Sequence, residues 1–135
     1  YNGRLLNHED GNDDSSGPGA VAIDAYIQSS DFDLQDGDQF MLTRRMIPDI
    51  NFDGSTAANP EATFSIKPRN FPGGAYQSNA SNAQRVIQTT VNQFTNEVFM
   101  RARARQVGVK VQSTGLDTQW QLGSPRLDMR PDGKR

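Results

Sequence analysis

Three arginines that alternate along the chain form the pattern with the clearest chemical potential. Arg101, Arg103 and Arg105 are separated by single alanines, so a β-strand would place all three guanidinium groups on one face. Such a row can bind phosphate groups of a nucleic acid, or pair bidentately with carboxylates of a neighbouring strand or subunit. A solvated sheet face explains the same pattern. The chain contains 16 acidic residues and 14 lysines and arginines, so acidic partners are plentiful and pairing with carboxylates is favoured.

A second pattern resembles half of a calcium site. The segment 49–54 reads D-x-N-x-D-G, which supplies oxygen donors at Asp49, Asn51 and Asp53. The position for the closing bidentate glutamate is occupied by Pro60. The intervening apolar residues predict instead a strand whose acidic side chains face water. These three residues are therefore weak metal candidates, and we expect no metal and no cofactor.

Nothing else in the chain has the spacing of a catalytic site. His8 is the only histidine and has no nucleophile pattern near it, whereas general-base catalysis needs a positioned partner. The acidic cluster within 31–38 is more typical of a solvated turn than of a metal site. Distant carboxylates can still meet in space, but no motif points to such a pair. We therefore expect a protein that is not an enzyme.

The elements that must position the arginines are β-strands. Val98, Met100, Ala102 and Ala104 share the parity opposite to the arginines, which predicts a buried face. The apolar parity then changes at the valines of 107–111. Since a period of two cannot slip by one without an interruption, we predict two antiparallel strands joined near Arg105, or a bulged bend in one long strand.

Further alternating runs predict an all-β fold. About eight short strands separated by turn signals are typical of an antiparallel β-sandwich or jelly roll. The other predicted strands are 20–27, 39–47, 49–53, 62–67, 83–91, 118–122 and, as an edge after Pro125, 126–130. Within 39–47 a bulge is needed, and we expect one face to carry Phe40, Leu42 and Met46 and the other Met41, Arg44 and Arg45.

Length and composition set the domain organisation. A chain of 135 residues predicts one domain, and a hydrophobic content of 34% predicts a small core. Residues 1–19 are expected to be an N-terminal segment and flexible linker that follow a missing domain, with the β-sandwich domain at 20–135. The net charge of −2 disfavours a general nucleic-acid binder, and no apolar run is long enough to predict a membrane span.

Two segments near the end of the chain carry a family resemblance. VFMRARARQ at 98–106 and WQLGSPRLDMRPDGKR at 120–135 resemble the C-terminal end of the tail hub or nozzle structural proteins of short-tailed bacteriophages. The segments 27–38 and 44–52 (RRMIPDINF) resemble the same family less closely. Ala104 stands where the family pattern has glycine. The resemblance also predicts that Arg135 lies near the natural end of a longer parent chain.

What the resemblance implies is a structural component of the virion tail. Such a β-domain would contact other copies of itself in a ring around the DNA channel and would also contact neighbouring tail proteins. Passive contact with DNA in the channel is a further expectation. The residues expected at the subunit interface or the channel wall are Arg101, Arg103, Arg105, Arg130, Lys134 and Arg135.

A different class of function remains open for a β-sandwich. The fold is common among carbohydrate-binding modules, with or without a calcium ion, although that argument is one of analogy. Such a module would need exposed aromatic side chains, for which the candidates are Tyr26, Phe71, Tyr76 and Trp120.

Overall fold

A computed structural model describes residues 11–74, 76 and 86–134 of the chain. All described elements are β-strands and every ladder is antiparallel, which confirms the predicted all-β, sandwich-like class. The structure has more strands than predicted because several ladders are only two residues long. The strands are β1 Asp13–Asp14, β2 Val21–Ala22, β3 Ala25–Gln28, β4 Met41–Ile47, β5 Ile50–Asn51, β6 Glu61–Arg69, β7 Ile87–Asn92, β8 Val98–Ala104, β9 Gln106–Ser113, β10 Gln121–Leu122 and β11 Arg126–Pro131.

Two larger sheets enclose the hydrophobic core. One has the strand order β3-β9-β6-β7 and the other β11-β4-β8, and two small ladders join β1 to β2 and β5 to β10. Inner-face side chains of both sheets belong to one buried cluster, as expected for a sandwich. The four-stranded sheet contributes Phe64, Ile66, Val91, Val107 and Val111, and the three-stranded sheet contributes Met41, Met46, Met100, Ala102 and Ala104.

The chain passes from one sheet to the other at Arg105. β8 pairs with β4, whereas β9 pairs with β3 and β6. The predicted pairing of two strands joined near Arg105 is therefore wrong, and the change of parity marks a corner between the two layers. A bend at such a corner lets each strand present its own apolar set to the shared core.

The bulge predicted in β4 is present, but the face assignments of Met41 and Leu42 are wrong: Leu42 pairs with Arg103 and Arg130 and lies on the outer side. The register shifts between Thr43 and Arg45 against β8, and between Asp128 and Met129 against β11. Met41 is fully buried together with Thr43, so it faces the core and not the side that carries Arg45. The distortion turns two consecutive arginines away from the core, because a bulge changes the side-chain alternation.

The ladder between β4 and β11 continues into the short ladder between β5 and β10. Ile47 pairs with Arg126, and beyond this pair the amide of Gly123 donates to the carbonyl of Asp49 at 2.7 Å. The carboxylate of Asp49 accepts a hydrogen bond from the amide of Ser124 at 2.8 Å. These bonds keep the segment around Asp49 paired with the segment before Pro125, between the two ladders.

Several predicted boundaries differ from the structure. The strand expected at 20–27 is divided into β2 and β3, and that expected at 118–122 is reduced to β10. The strand expected at 83–91 corresponds to β7, but 83–85 lie outside the described residues. β1 lies within the segment that composition places in a linker, and the side-chain amide of Asn12 donates to the carbonyl of Gly54 at 3.0 Å. The domain boundary at residue 20 stays a prediction.

Candidate functional site

The outer side of the three-stranded sheet carries a group of arginines that we call the arginine face. It consists of Arg44, Arg101, Arg126 and Arg130, all exposed, together with Phe99. Within the described part of the chain, none of these arginines forms an ion pair or a side-chain hydrogen bond. Four cationic groups on one face are thus available to an external partner.

Two ladders place these side chains together. Across the sheet, Asp128 pairs with Arg45, and Arg45 pairs with Phe99. Since strands alternate their side chains, Arg101 and Arg130 lie on the same outer side. An open depression of about 590 Å³ is formed there by Arg44, Arg45, Phe99, Met100, Arg101, Asp128 and Arg130.

The charge in the depression is only partly balanced from within the chain. Arg45 forms a 3.1 Å ion pair with Glu97 at the edge of the sheet. Asp128 is a half-buried residue in the wall of the depression, and its carboxylate forms no ion pair among the described residues. The arginines outnumber the carboxylates, so the depression has an excess of positive charge suited to an anionic group.

Two residues of the predicted arginine row instead hold the end of the chain. Arg103 forms a 2.5 Å ion pair with Asp132 and also donates to its carbonyl at 2.9 Å. Arg105 donates to the carbonyls of Asp38 at 2.5 Å and Lys134 at 2.9 Å. Both arginines are engaged inside the molecule, whereas Arg101 in the same row is not.

The ring of Phe40 completes this arrangement, which we call the C-terminal clamp: Phe40, Arg103 and Arg105 with residues 132–134. The two guanidinium carbons lie 4.2 and 4.6 Å from the ring centroid, within the range of cation–π contact. The amide of Phe40 donates to the carbonyl of Gly133, and the amide of Asp132 donates back to Phe40, both at 2.7 Å. The clamp therefore combines backbone pairing with side-chain attraction.

The remaining predicted site residues are distributed as follows. Lys134 forms a 3.3 Å ion pair with Asp38 beside the clamp. Arg130 belongs to the arginine face. Arg135 lies outside the described residues. The structure thus divides the predicted set between a structural role and an exposed face.

The three weak metal candidates are engaged in local hydrogen bonds. The carboxylate of Asp49 bonds to Ser124, as described above. The amide of Asp53 donates to the side chain of Asn51 at 2.7 Å, and the side-chain amide of Asn51 donates to Asp53 at 3.1 Å. Among the described residues, no group of three or more histidine, cysteine or acidic side chains is arranged to hold a metal ion.

Two of the four aromatic candidates for sugar binding, Tyr26 and Trp120, line the same open depression of about 620 Å³. Tyr26 is 64% exposed, and the ammonium of Lys110 lies 4.7 Å from its ring centroid. Phe71 is exposed, whereas Trp120 packs against the core and donates from its indole nitrogen to Ser113 at 2.8 Å. Tyr26 and Trp120 therefore share one depression, whereas Phe71 does not line it.

Tyr76 belongs to a charged cluster on the four-stranded sheet. Its hydroxyl donates to Asp31 at 2.9 Å, and the other oxygen of Asp31 forms a 2.7 Å ion pair with Arg69. Partial burial, and then the hydrogen bond to Asp31, raise the pKa of Tyr76 above its usual value, because both favour the neutral phenol. This cluster attaches the segment around Asp31 to β6.

Sequence reasoning missed Phe99, Phe40, Arg44 and Arg126 as members of functional or structural clusters. A signal existed for Phe99, because it has the same parity as Arg101 and Arg103 in a strand with regular alternation. Phe40 and Arg44 gave no such signal, since their neighbours come from distant strands. The bulge in β4 cannot be located from alternation alone.

No protein-family model matches the chain, and no curated protein matches it either. The resemblance to phage tail proteins, which depends on the motifs described above, stays a prediction. In the described part of the chain, no helix is long and apolar enough to span a bilayer.

Proposed function

We propose that the chain is a structural module of a bacteriophage tail, of the hub or nozzle type, and that it contacts neighbouring subunits through the arginine face. The observation that carries the proposal is the set of exposed arginines without partners in the described residues, beside Phe99, which is 76% exposed. Arginine and aromatic residues are enriched where proteins bind one another. The sequence motifs supply the assignment to a phage tail.

The architecture supports an assembly role over a chemical one. The depression on the arginine face is open and lined mostly by charged side chains, whereas small-molecule sites are lined mostly by apolar ones. The small core would gain stability from association, because binding to the native state favours folding. We therefore place the candidate function in protein–protein contact.

The proposal is tested by locating the chain in the particle that contains it. Cryo-electron microscopy of intact virions should show copies of this domain in a ring within the tail, with Arg101 and Arg130 against a neighbouring subunit. A position in the capsid, or an arginine face directed at bulk solvent in every copy, would contradict the proposal.

The carbohydrate-binding alternative stays a prediction. Its main support is the open depression of about 620 Å³ that exposed Tyr26 and half-buried Trp120 both line. A glycan array tests it directly, with Tyr26→Ala as the variant that should lose any signal. A thermal-melting experiment with added calcium tests the calcium-assisted form, and an unchanged melting temperature would contradict that form.

A further inference from the structure

We propose that the arginine face docks onto an acidic end of a second copy of the same chain. The acidic end consists of β1, which carries Asp13 and Asp14, and of the loops that carry Asp53 and Asp117. This inference rests on the proposed function, because it identifies the partner of the same face. The contact would be head-to-tail, with two different surfaces meeting.

Hydrogen bonds between three chain segments form the acidic end. The carboxylate of Asp13 accepts the amide of Asp117 at 2.9 and 3.0 Å. The carbonyl of Asp117 accepts the amides of Thr56 and Ala57, both at 3.0 Å. Together with the bond from Asn12 to Gly54, these contacts hold the four carboxylates at one end of the molecule.

The charge of this end is not balanced locally. The segments 11–19, 53–60 and 114–119 contain no lysine or arginine. Asp14, Asp53 and Asp117 are exposed. An unbalanced acidic surface and an unbalanced basic surface on one chain are complementary, which steers association and sets its orientation. Guanidinium groups add geometric selectivity because they can bind a carboxylate through two parallel hydrogen bonds.

The two surfaces occupy different parts of the molecule. The arginine face is the outer side of β4, β8 and β11. The acidic loops follow β5 and precede β10, the two strands that continue the ladder beyond Ile47 and Arg126. A contact between unlike surfaces leaves one of each free on the growing assembly, so repetition closes a ring or continues as a filament.

A nucleic acid fits the same face less well. The chain has a net charge of −2, which opposes the approach of a polyanion. The acidic end, by contrast, has no role in nucleic-acid binding but is required by the head-to-tail contact.

The test uses neutralised variants of the 135-residue chain in sedimentation experiments. One variant carries Arg101→Gln and Arg130→Gln, and the other Asp14→Asn, Asp53→Asn and Asp117→Asn. Asparagine retains a side-chain acceptor and tolerates the positive φ of 57° at residue 117. The matched control, Lys67→Gln with Lys110→Gln, makes the same charge change as the arginine variant, on the other sheet.

The wild type and the lysine control should self-associate at millimolar concentration, more weakly as salt increases. Each of the other two variants should associate at least about tenfold more weakly. Their equimolar mixture should form a heterodimer and grow no further, because each copy retains only one functional surface. Circular dichroism confirms that the variants fold.

Three outcomes would overturn the inference. If the acidic variant assembles normally and the arginine variant is monomeric, the acidic end is not the partner of the arginine face. The proposed function would remain intact in that case. If both variants assemble normally, the arginine face is not the contact surface either, and the proposed function is contradicted. A wild type that stays monomeric and binds a labelled DNA oligonucleotide through Arg101 and Arg130 would assign the face to nucleic acid.

Discussion

At the scale of single residues, identical side chains in one strand have different roles. Arg101 is exposed without a partner among the described residues, whereas Arg103 is ion-paired to Asp132 at 2.5 Å. Exposed single ion pairs stabilise proteins only slightly, but the guanidinium of Arg103 also contacts the ring of Phe40 and a backbone carbonyl. The local surroundings, and not the residue type, decide which arginines remain available to a partner.

Tyr76 gives a residue-scale prediction about pH. Because its pKa is raised in the folded state, its contribution to stability is present below the usual phenol pKa of about 10 and is lost as pH rises through the folded pKa. Tyr76→Phe removes the hydrogen bond to Asp31 and should cost about 1–2 kcal/mol at neutral pH.

The measurement is denaturant unfolding of both proteins between about pH 8 and about pH 11. The stability difference should shrink at the alkaline end, because only the wild type has the Tyr76 proton to lose. A difference independent of pH would contradict a raised pKa of Tyr76 in the folded state.

At the scale of strands, interruptions determine where the functional surfaces lie. The bulge at Arg44 directs two consecutive arginines outward, and the corner at Arg105 divides two alternating runs between two sheets. Asp49 holds the segment that links β10 to β11 through its bond to Ser124. The arginine face lies on the ladder between β4 and β11, and the acidic end lies beyond the ladder between β5 and β10 that follows it.

Gly123 tests the junction between the two ladders. A Cβ atom at this position would overlap the carboxylate of Asp49, so Gly123→Ala should displace that side chain and weaken its bond to Ser124. We expect a loss of about 1–2 kcal/mol in denaturant unfolding.

The control is Gly19→Ala, where no atom lies within 4 Å of the added carbon, and its effect should stay within about 0.5 kcal/mol. In the double variant with Asp49→Ala the clash is absent, so the loss should be close to that of Asp49→Ala alone. Additive losses would argue against the Asp49 contact as the cause.

At the scale of the whole molecule, the C-terminal clamp joins the chain end to the corner between the sheets. Arg105 occupies this corner, its amide donates to the carbonyl of Arg69 at 3.1 Å, and its guanidinium reaches both Asp38 and Lys134. One residue thus ties the inter-sheet connection, the segment before β4 and the last described residues together. The clamp is a stabilising feature, distinct from the surface proposed to bind a partner.

Replacement of Arg105 measures that role. Arg105→Ala removes two charge-assisted hydrogen bonds and a contact with Phe40, and should cost about 2 kcal/mol in thermal or denaturant unfolding. Arg101→Ala, in the same alternating row of arginines, is the matched control and should change stability by less than about 0.5 kcal/mol. Equal losses for both variants would contradict the division between clamp and arginine face.

Local alternation was sufficient to predict several features from the sequence. It identified the all-β class, the outward parity of the arginines against Met100, Ala102 and Ala104, and a bulge within β4. It also predicted an edge position for β11, the strand that follows Pro125. These features depend on neighbours one or two residues apart, because side-chain direction in a strand has a period of two.

Only the tertiary structure decided which strands pair and which arginines are engaged. The alternation of β8 and β9 is the same whether the two strands pair with each other or belong to different sheets. The corner at Arg105 could therefore not be distinguished from a hairpin. The clamp bonds join Arg103 to Asp132, 29 positions away, and Arg105 to Asp38, 67 positions away. The sequence by itself determined the faces of the strands, and long-range packing determined which charges on those faces remain exposed.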